Sequence, residues 1–209
     1  MLYYSMLTQL GDVIELDLDL ENPIDFVKWT EKNYTYVQYN PNKPINRYGL
    51  SITSLDGGLS GIPDLDSLPA YNSKHNTNYD EKDFKVFTEV YYKNIALQNA
   101  LEPIKDFIFR SHVLKLSSGG FFPVHRDVLI SNFNSCRILF PLRNTKSPNS
   151  FFILDDKILS LDEGSGYFLN TAKLHTVFNA SSFDAYWIIV NVNLNESTYK
   201  KIINLVKII

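Results

Sequence analysis

The sequence predicts a mainly β fold with helices (α+β), a β-sandwich or jelly roll that carries its helices on one face. Three observations predict it. From residue 112 to 193 apolar residues recur with a period near two, in seven short runs at 112–117, 135–142, 150–154, 157–161, 165–170, 174–179 and 185–193. Turn signals separate several of these runs: Ser118-Gly119-Gly120, Ser147-Pro148-Asn149 and Asp162-Glu163-Gly164. Helix signals are confined to the first hundred residues and the C-terminus, a segregation that suits helices packed against one side of a sheet. The 13 tyrosines and 14 phenylalanines fit the same class, because aromatic side chains favour half-buried strands.

In chain order, the opening Met1-Leu-Tyr-Tyr-Ser-Met lacks the basic start and long apolar core of a signal peptide. Asn22-Pro23-Ile24-Asp25 begins a helix, with Asn22 as the N-cap and Pro23 at the first helical position. Residues 40–78 are rich in Pro, Gly, Asn and Asp and read as a long covering loop. The segment from Phe84 to Phe109 reads as one or two helices interrupted near Pro103. Residues 196–209 read as a capped helix whose apolar face serves packing or a dimer contact. The organisation is thus one domain: a helix-loop N-terminal layer over 1–110, a strand-rich core over 111–195, and a terminal helix.

Composition narrows the function. The chain has 209 residues, a net charge of −3 and no long lysine or arginine run, which argues against nucleic acid as a partner. No apolar stretch approaches the length of a bilayer span, so a cytoplasmic protein is expected. The single cysteine, Cys136, lies in an apolar strand and is expected to be a buried thiol. Nothing in the composition sets an oligomeric state.

Against that background His125-Arg126-Asp127 stands out. His125 and Asp127 share parity, so in an extended chain both side chains project to one face. His175 falls in a later strand, where it shares a face with Val177 and Asn179. Two imidazoles and a carboxylate are the three-ligand set that holds non-haem Fe(II) in oxygenases and leaves positions open. The bland alternative is a pair of hydrogen-bonded histidines with Arg126 pairing to Asp127. His75, in a polar loop, and His112, at a strand start, are set aside as ligands.

These residues resemble the 2-oxoglutarate- and Fe(II)-dependent oxygenases, in their aspartyl/asparaginyl β-hydroxylase-like or proline-hydroxylase-like branch. The resemblance runs from about Val113 to Val192. It rests on Leu116-Ser-Ser-Gly-Gly-Phe-Phe-Pro-Val-His125-Arg-Asp127, Cys136-Arg137-Ile-Leu-Phe-Pro-Leu142, Gly166-Tyr-Phe-Leu-Asn170 with His175-Thr-Val-Phe-Asn179, and Trp187-Ile-Ile-Val-Asn-Val192. It implies a double-stranded β-helix (jelly roll, cupin-like) core, with His125, Asp127 and His175 as catalytic iron ligands and 2-oxoglutarate and O2 as cosubstrates. It also implies hydroxylation of an unactivated C–H in an amino acid or a peptide side chain, because the carboxylate ligand that halogenating relatives lack is present as Asp127. The family's usual arginine about ten residues past the distal histidine is missing: no Lys or Arg lies between His175 and Lys200. Arg137, on the strand after the His-x-Asp segment, is the expected replacement, with Asn170 and Asn179 as further cofactor-binding candidates. Tyr34, Tyr36, Tyr39, Arg47 and Tyr48 are candidates to fold over the mouth and supply aromatic walls and a carboxylate partner. The competing functions are a cupin-like metalloenzyme that does not use 2-oxoglutarate and a non-catalytic jelly-roll binding protein, and the direction Arg137 faces separates them.

Overall fold

The computed structural model describes residues 2–43, 45–127 and 134–207. The N-terminal part contains α1 (Leu2–Leu10), β1 (Val13–Asp19), α2 (Pro23–Asn33), β2 (Val37–Gln38), β3 (Arg47–Ser51), β4 (Thr53–Ser54) and α3 (Leu68–His75). It continues through β5 (Val86–Phe87), α4 (Glu89–Tyr92) and α5 (Ile95–Leu101). Then come β6 (Ile108–Leu116), β7 (Phe121–His125), β8 (Ser135–Arg143), β9 (Ser150–Leu154), β10 (Lys157–Leu159), β11 (Ser165–Leu169), β12 (His175–Asn179) and β13 (Ala185–Asn193), closed by α6 (Glu196–Asn204).

Two antiparallel sheets face each other. The large one runs β1-β11-β8-β13-β6-β3-β2 and the small one β10-β9-β12-β7. The chain changes sheet between β6 and β7, again at β8, β9, β11, β12 and β13, which is the winding of a double-stranded β-helix. Period-two side chains drive it. In β8, Cys136, Ile138, Phe140 and Leu142 join one buried cluster with the helices, while Leu139 faces the other cluster between the sheets. In β13, Tyr186, Ile188 and Val190 face the helices, whereas Ala185 and Trp187 face the small sheet. The large sheet is therefore buried on both faces, and each fully buried large side chain there contributes roughly 1.5–3 kcal/mol.

Several sequence expectations are corrected here. The 40–78 segment is more than a loop, since β3 pairs along β6 from Arg47↔Leu116 to Ser51↔His112. Gly49 masks the strand signal for a packing reason: a Cβ there would lie 2.7 Å from Leu65 Cδ1. β1 and β7 join the expected strands, and β6 begins at Ile108 instead of His112. Asn22 does occupy the N-cap of α2, but in the left-handed region (φ 50°) and without a side-chain cap; its carbonyl accepts from Asp25 and Phe26. His75 ends α3, stacked on Tyr71. The last helix stops at Asn204, capped by the Asn195 side chain, and its Ile202 packs into the core; residues 208–209 lie outside the described residues. Among the described residues no helix is long and apolar enough to cross a membrane.

Candidate metal centre and its cavity

His125 ends β7 and His175 begins β12, and the two are direct cross-strand partners with ring centroids 4.3 Å apart. The turn before β7 explains the glycine pair. Gly119 takes φ 70°, and a Cβ on Gly120 would lie 2.4 Å from the Asn46 carbonyl oxygen, so the glycine pair lets the chain turn past Asn46 into β7. Asp127 lies just past β7, where its N–H donates to the Thr171 carbonyl at 3.0 Å.

The two imidazoles are set by their backbone. His125 Nδ1 is 2.7 Å from the Pro123 carbonyl and His175 Nδ1 is 3.0 Å from the Lys173 carbonyl. A carbonyl only accepts, so Nδ1 carries the proton in each ring and Nε2 keeps its lone pair. Both Nε2 atoms face Asp127, at 3.4 Å from Oδ1 for His125 and 3.7 Å from Oδ2 for His175. The three donor atoms lie within 4.8 Å of one another. Asp127 Oδ2 is buried and has no aligned hydrogen-bond donor among the described residues, although Arg137 Nη1 sits 2.6 Å away as an ion partner. A buried carboxylate with one under-satisfied oxygen, beside two imidazole nitrogens whose lone pairs are free, is the donor chemistry a divalent metal ion fits.

The electrostatics keep this set ready to bind. Burial pushes the Asp127 carboxyl up, but the Arg137 guanidinium beside it outweighs this and holds it well below the usual carboxylate range. Burial lowers the His175 pKa, partly offset by Asp127, which favours its neutral form. Phe152 stacks parallel to His175 at 6.3 Å and Phe122 lies 6.1 Å from His125, so apolar rings wall the two imidazoles.

A cavity opens from this point between the sheets. Leu114, Leu139, Leu169, Val177, Trp187 and Ile189 line its apolar part. Arg137, Arg110, Glu81, His112 and Asn191 gather at its polar part, and Tyr39 covers it. Arg137 faces the cavity, as its parity with Leu139 predicts, and its Nε donates to Asn191 Oδ1 at 3.1 Å. Arg110 sits in a left-handed conformation (φ 36°), held by the Asp64 and Asp66 carbonyls and by Glu81. His112 is buried against both arginines, and desolvation followed by those charges lowers its pKa to about 3; it lies outside the three-donor cluster.

Two candidates fall elsewhere. Asn170 accepts from Tyr4 and donates to Asp12, and Asn179 donates to the Leu116 and Phe183 carbonyls and accepts from Ser181. Neither amide lines the cavity. Of the predicted cover residues only Tyr39 does; Tyr34 packs on Trp29 and Tyr36 on Tyr186. Arg110, Glu81 and Asn191 were not anticipated. Arg110 shares parity with His112 and Leu114, and extending that strand by two residues would have revealed it.

No protein-family profile and no curated protein sequence matches this chain. Solved structures do. HygX from Streptomyces hygroscopicus, with nickel and 2-oxoglutarate bound, superposes with a TM-score of 0.56 at 11% identity over 92% of this chain and 87% of its own. The same protein with hygromycin B also bound gives 0.55 at 9% identity over the same shares of the two chains. A Pseudomonas putida prolyl-4-hydroxylase gives 0.50 at 9% identity over 93% of this chain and 100% of its own. At such identities the likeness is one of architecture: the chain has the double-stranded β-helix fold of these proteins.

Proposed function

We propose that the chain is a 2-oxoglutarate- and Fe(II)-dependent oxygenase that hydroxylates an unactivated C–H of a small molecule or a peptide side chain, with His125, Asp127 and His175 as the iron ligands. The observation that carries this reading is the pair of Nε2 lone pairs, freed by backbone carbonyls and directed at the buried Asp127 carboxylate, whose Oδ2 has no aligned donor among the described residues. Bound there, iron and 2-oxoglutarate would supply the oxidising chemistry.

The protein's own residues orient and shield. Phe122, Phe152 and Val177 exclude water from the open side of the imidazoles, and the apolar cavity wall holds an alkyl chain. Charge supports a dicarboxylate cosubstrate. Arg110 and Arg137 are balanced by Glu81 and Asp127. A divalent ion adds two positive charges that a dianion neutralises. Arg137 is the residue for its carboxylate, because the guanidinium fork faces the cavity beside Asp127 and binds a carboxylate through paired donors.

Anaerobic titration of metal-free protein with Fe(II), then with 2-oxoglutarate, tests the reading through the visible metal-to-ketoacid charge-transfer band. The band is expected in the wild type, absent in His175→Ala and weakened in Arg137→Met. Iron binding without the band would favour a different metalloenzyme, and no iron binding would favour a binding protein.

A further inference from the structure

Arg47 is a buried cation without an anion. It lies on β3 opposite Leu116 and is 4% exposed. Among the described residues its Nε has no hydrogen-bond partner and no carboxylate lies within 4.0 Å of its guanidinium. The contrast with its neighbours is sharp: Arg110, Arg137 and Arg143 each have a carboxylate, from Glu81, Asp127 and Glu31 respectively. What Arg47 has is two rings, with its guanidinium carbon 4.3 Å from the centre of Phe122 and 5.4 Å from that of Tyr39.

Two aromatic faces do not replace a counter-ion. A desolvated cation–π contact contributes about 2 kcal/mol, whereas fully removing an ion from water costs several kcal/mol, and here it is the Nε side of the group that is buried without a partner. A methionine of similar length would fill the same space without that cost. The position of those rings gives the charge a purpose. Phe122 and Tyr39 both line the cavity, Phe122 beside His125 and Tyr39 beside His112, at 5.3 Å. The guanidinium thus lies one ring away from the proposed metal site, outside the charge balance that Arg110 and Arg137 complete.

We propose that Arg47 anchors a carboxylate of the substrate, so that this oxygenase takes an organic carboxylate whose apolar part runs along Phe122 toward His125, Asp127 and His175. The proposal rests on the oxygenase reading above. Displacement of the Tyr39 ring from the guanidinium admits the anion, and the planar fork of Arg47 favours a carboxylate's two oxygens. The pairing leaves the substrate's far end, with its C–H bonds, on the metal side of the ring.

The test uses metal-free protein, so it stands apart from the iron titration. Thermal unfolding of the wild type, Arg47→Met and Arg47→Lys is followed without carboxylate buffers, then with benzoate, benzamide or phenyl phosphate. Arg47→Met is expected to unfold at or above the wild-type temperature. Benzoate is expected to bind the wild type roughly tenfold or more tightly than benzamide, a preference that Arg47→Met abolishes and Arg47→Lys reduces several-fold. A lower unfolding temperature for Arg47→Met with unchanged benzoate binding would make Arg47 a packing cation and overturn the proposal. Stronger binding of phenyl phosphate than of benzoate would overturn the carboxylate assignment. If Arg47→Met does not fold, equal benzoate affinity in Arg47→Lys and wild type overturns the proposal in its place.

Discussion

Tyr4, on the first helix, is far from the metal site in sequence but one turn from it in space. Its hydroxyl donates to Asn170 Oδ1 and accepts from the Ala172 N–H, both at 3.2 Å. Between those residues, the Thr171 carbonyl accepts the Asp127 N–H. Asp127 is thus held in place by a turn that α1 anchors. Tyr4→Phe is expected to cost about 1 kcal/mol of stability, the typical net value of a buried hydrogen bond. It is also expected to weaken binding of a divalent ion several-fold, because ligand orientation depends on such supporting bonds. Calorimetric Mn(II) titration beside a thermal melt checks both; unchanged affinity in a destabilised variant would confine Tyr4 to the fold.

At the scale of elements, Asn179 makes the clearest separation between structure and site. Its amide and carbonyl join the end of β12 to Leu116, Phe183 and Ser181, closing the passage from β12 into β13. Asn179→Ala strands those buried partners and is expected to cost about 2–3 kcal/mol in urea unfolding while leaving metal affinity within about twofold. A large loss of affinity with little loss of stability would return Asn179 to the site. The sequence alone misleads here because a short polar side chain at the end of a strand reads the same whether it lines a cavity or ties a turn. The strands themselves were legible where alternate burial left its mark, as in β8 and β13. β1 carried the same alternation, Val-Ile-Glu-Leu-Asp-Leu-Asp, yet stood among helix signals. β7 was obscured by Pro123, and β3 by Gly49. Arg137 was reached through the family resemblance, and its parity with Leu139 then fixed the face it occupies. Arg47 could be named only within a group that covers the mouth and supplies a carboxylate partner, because its lack of a counter-ion exists only once the chain is folded.

Across the whole molecule, the large sheet separates an apolar helix layer from an interior that holds charge, and folding therefore moves ionisable groups into a medium that disfavours their charged forms, which for a histidine means resisting protonation. His112 shows this best. It is 7% exposed, and burial together with Arg137 and Arg110 lowers its pKa to about 3, whereas the unfolded chain presents an ordinary histidine near 6.5. Below about pH 6.5 the unfolded state binds a proton that the folded state refuses, so its proton count exceeds that of the native state and stability falls with pH. The contribution is complete above 6.5 and declines by roughly 1.4 kcal/mol per pH unit toward pH 3. His175 shifts in the same direction through its own burial. Most carboxylates still keep their charge between pH 6.5 and 5, so that window isolates the histidines. Urea unfolding of metal-free protein is expected to show stability dropping across it. His112→Phe, which keeps a ring against Tyr39 but cannot titrate, should remove about 1.4 kcal/mol per pH unit from the slope. An unaltered slope would mean that His112 is protonated inside the fold, with a counter-charge other than the two arginines it faces.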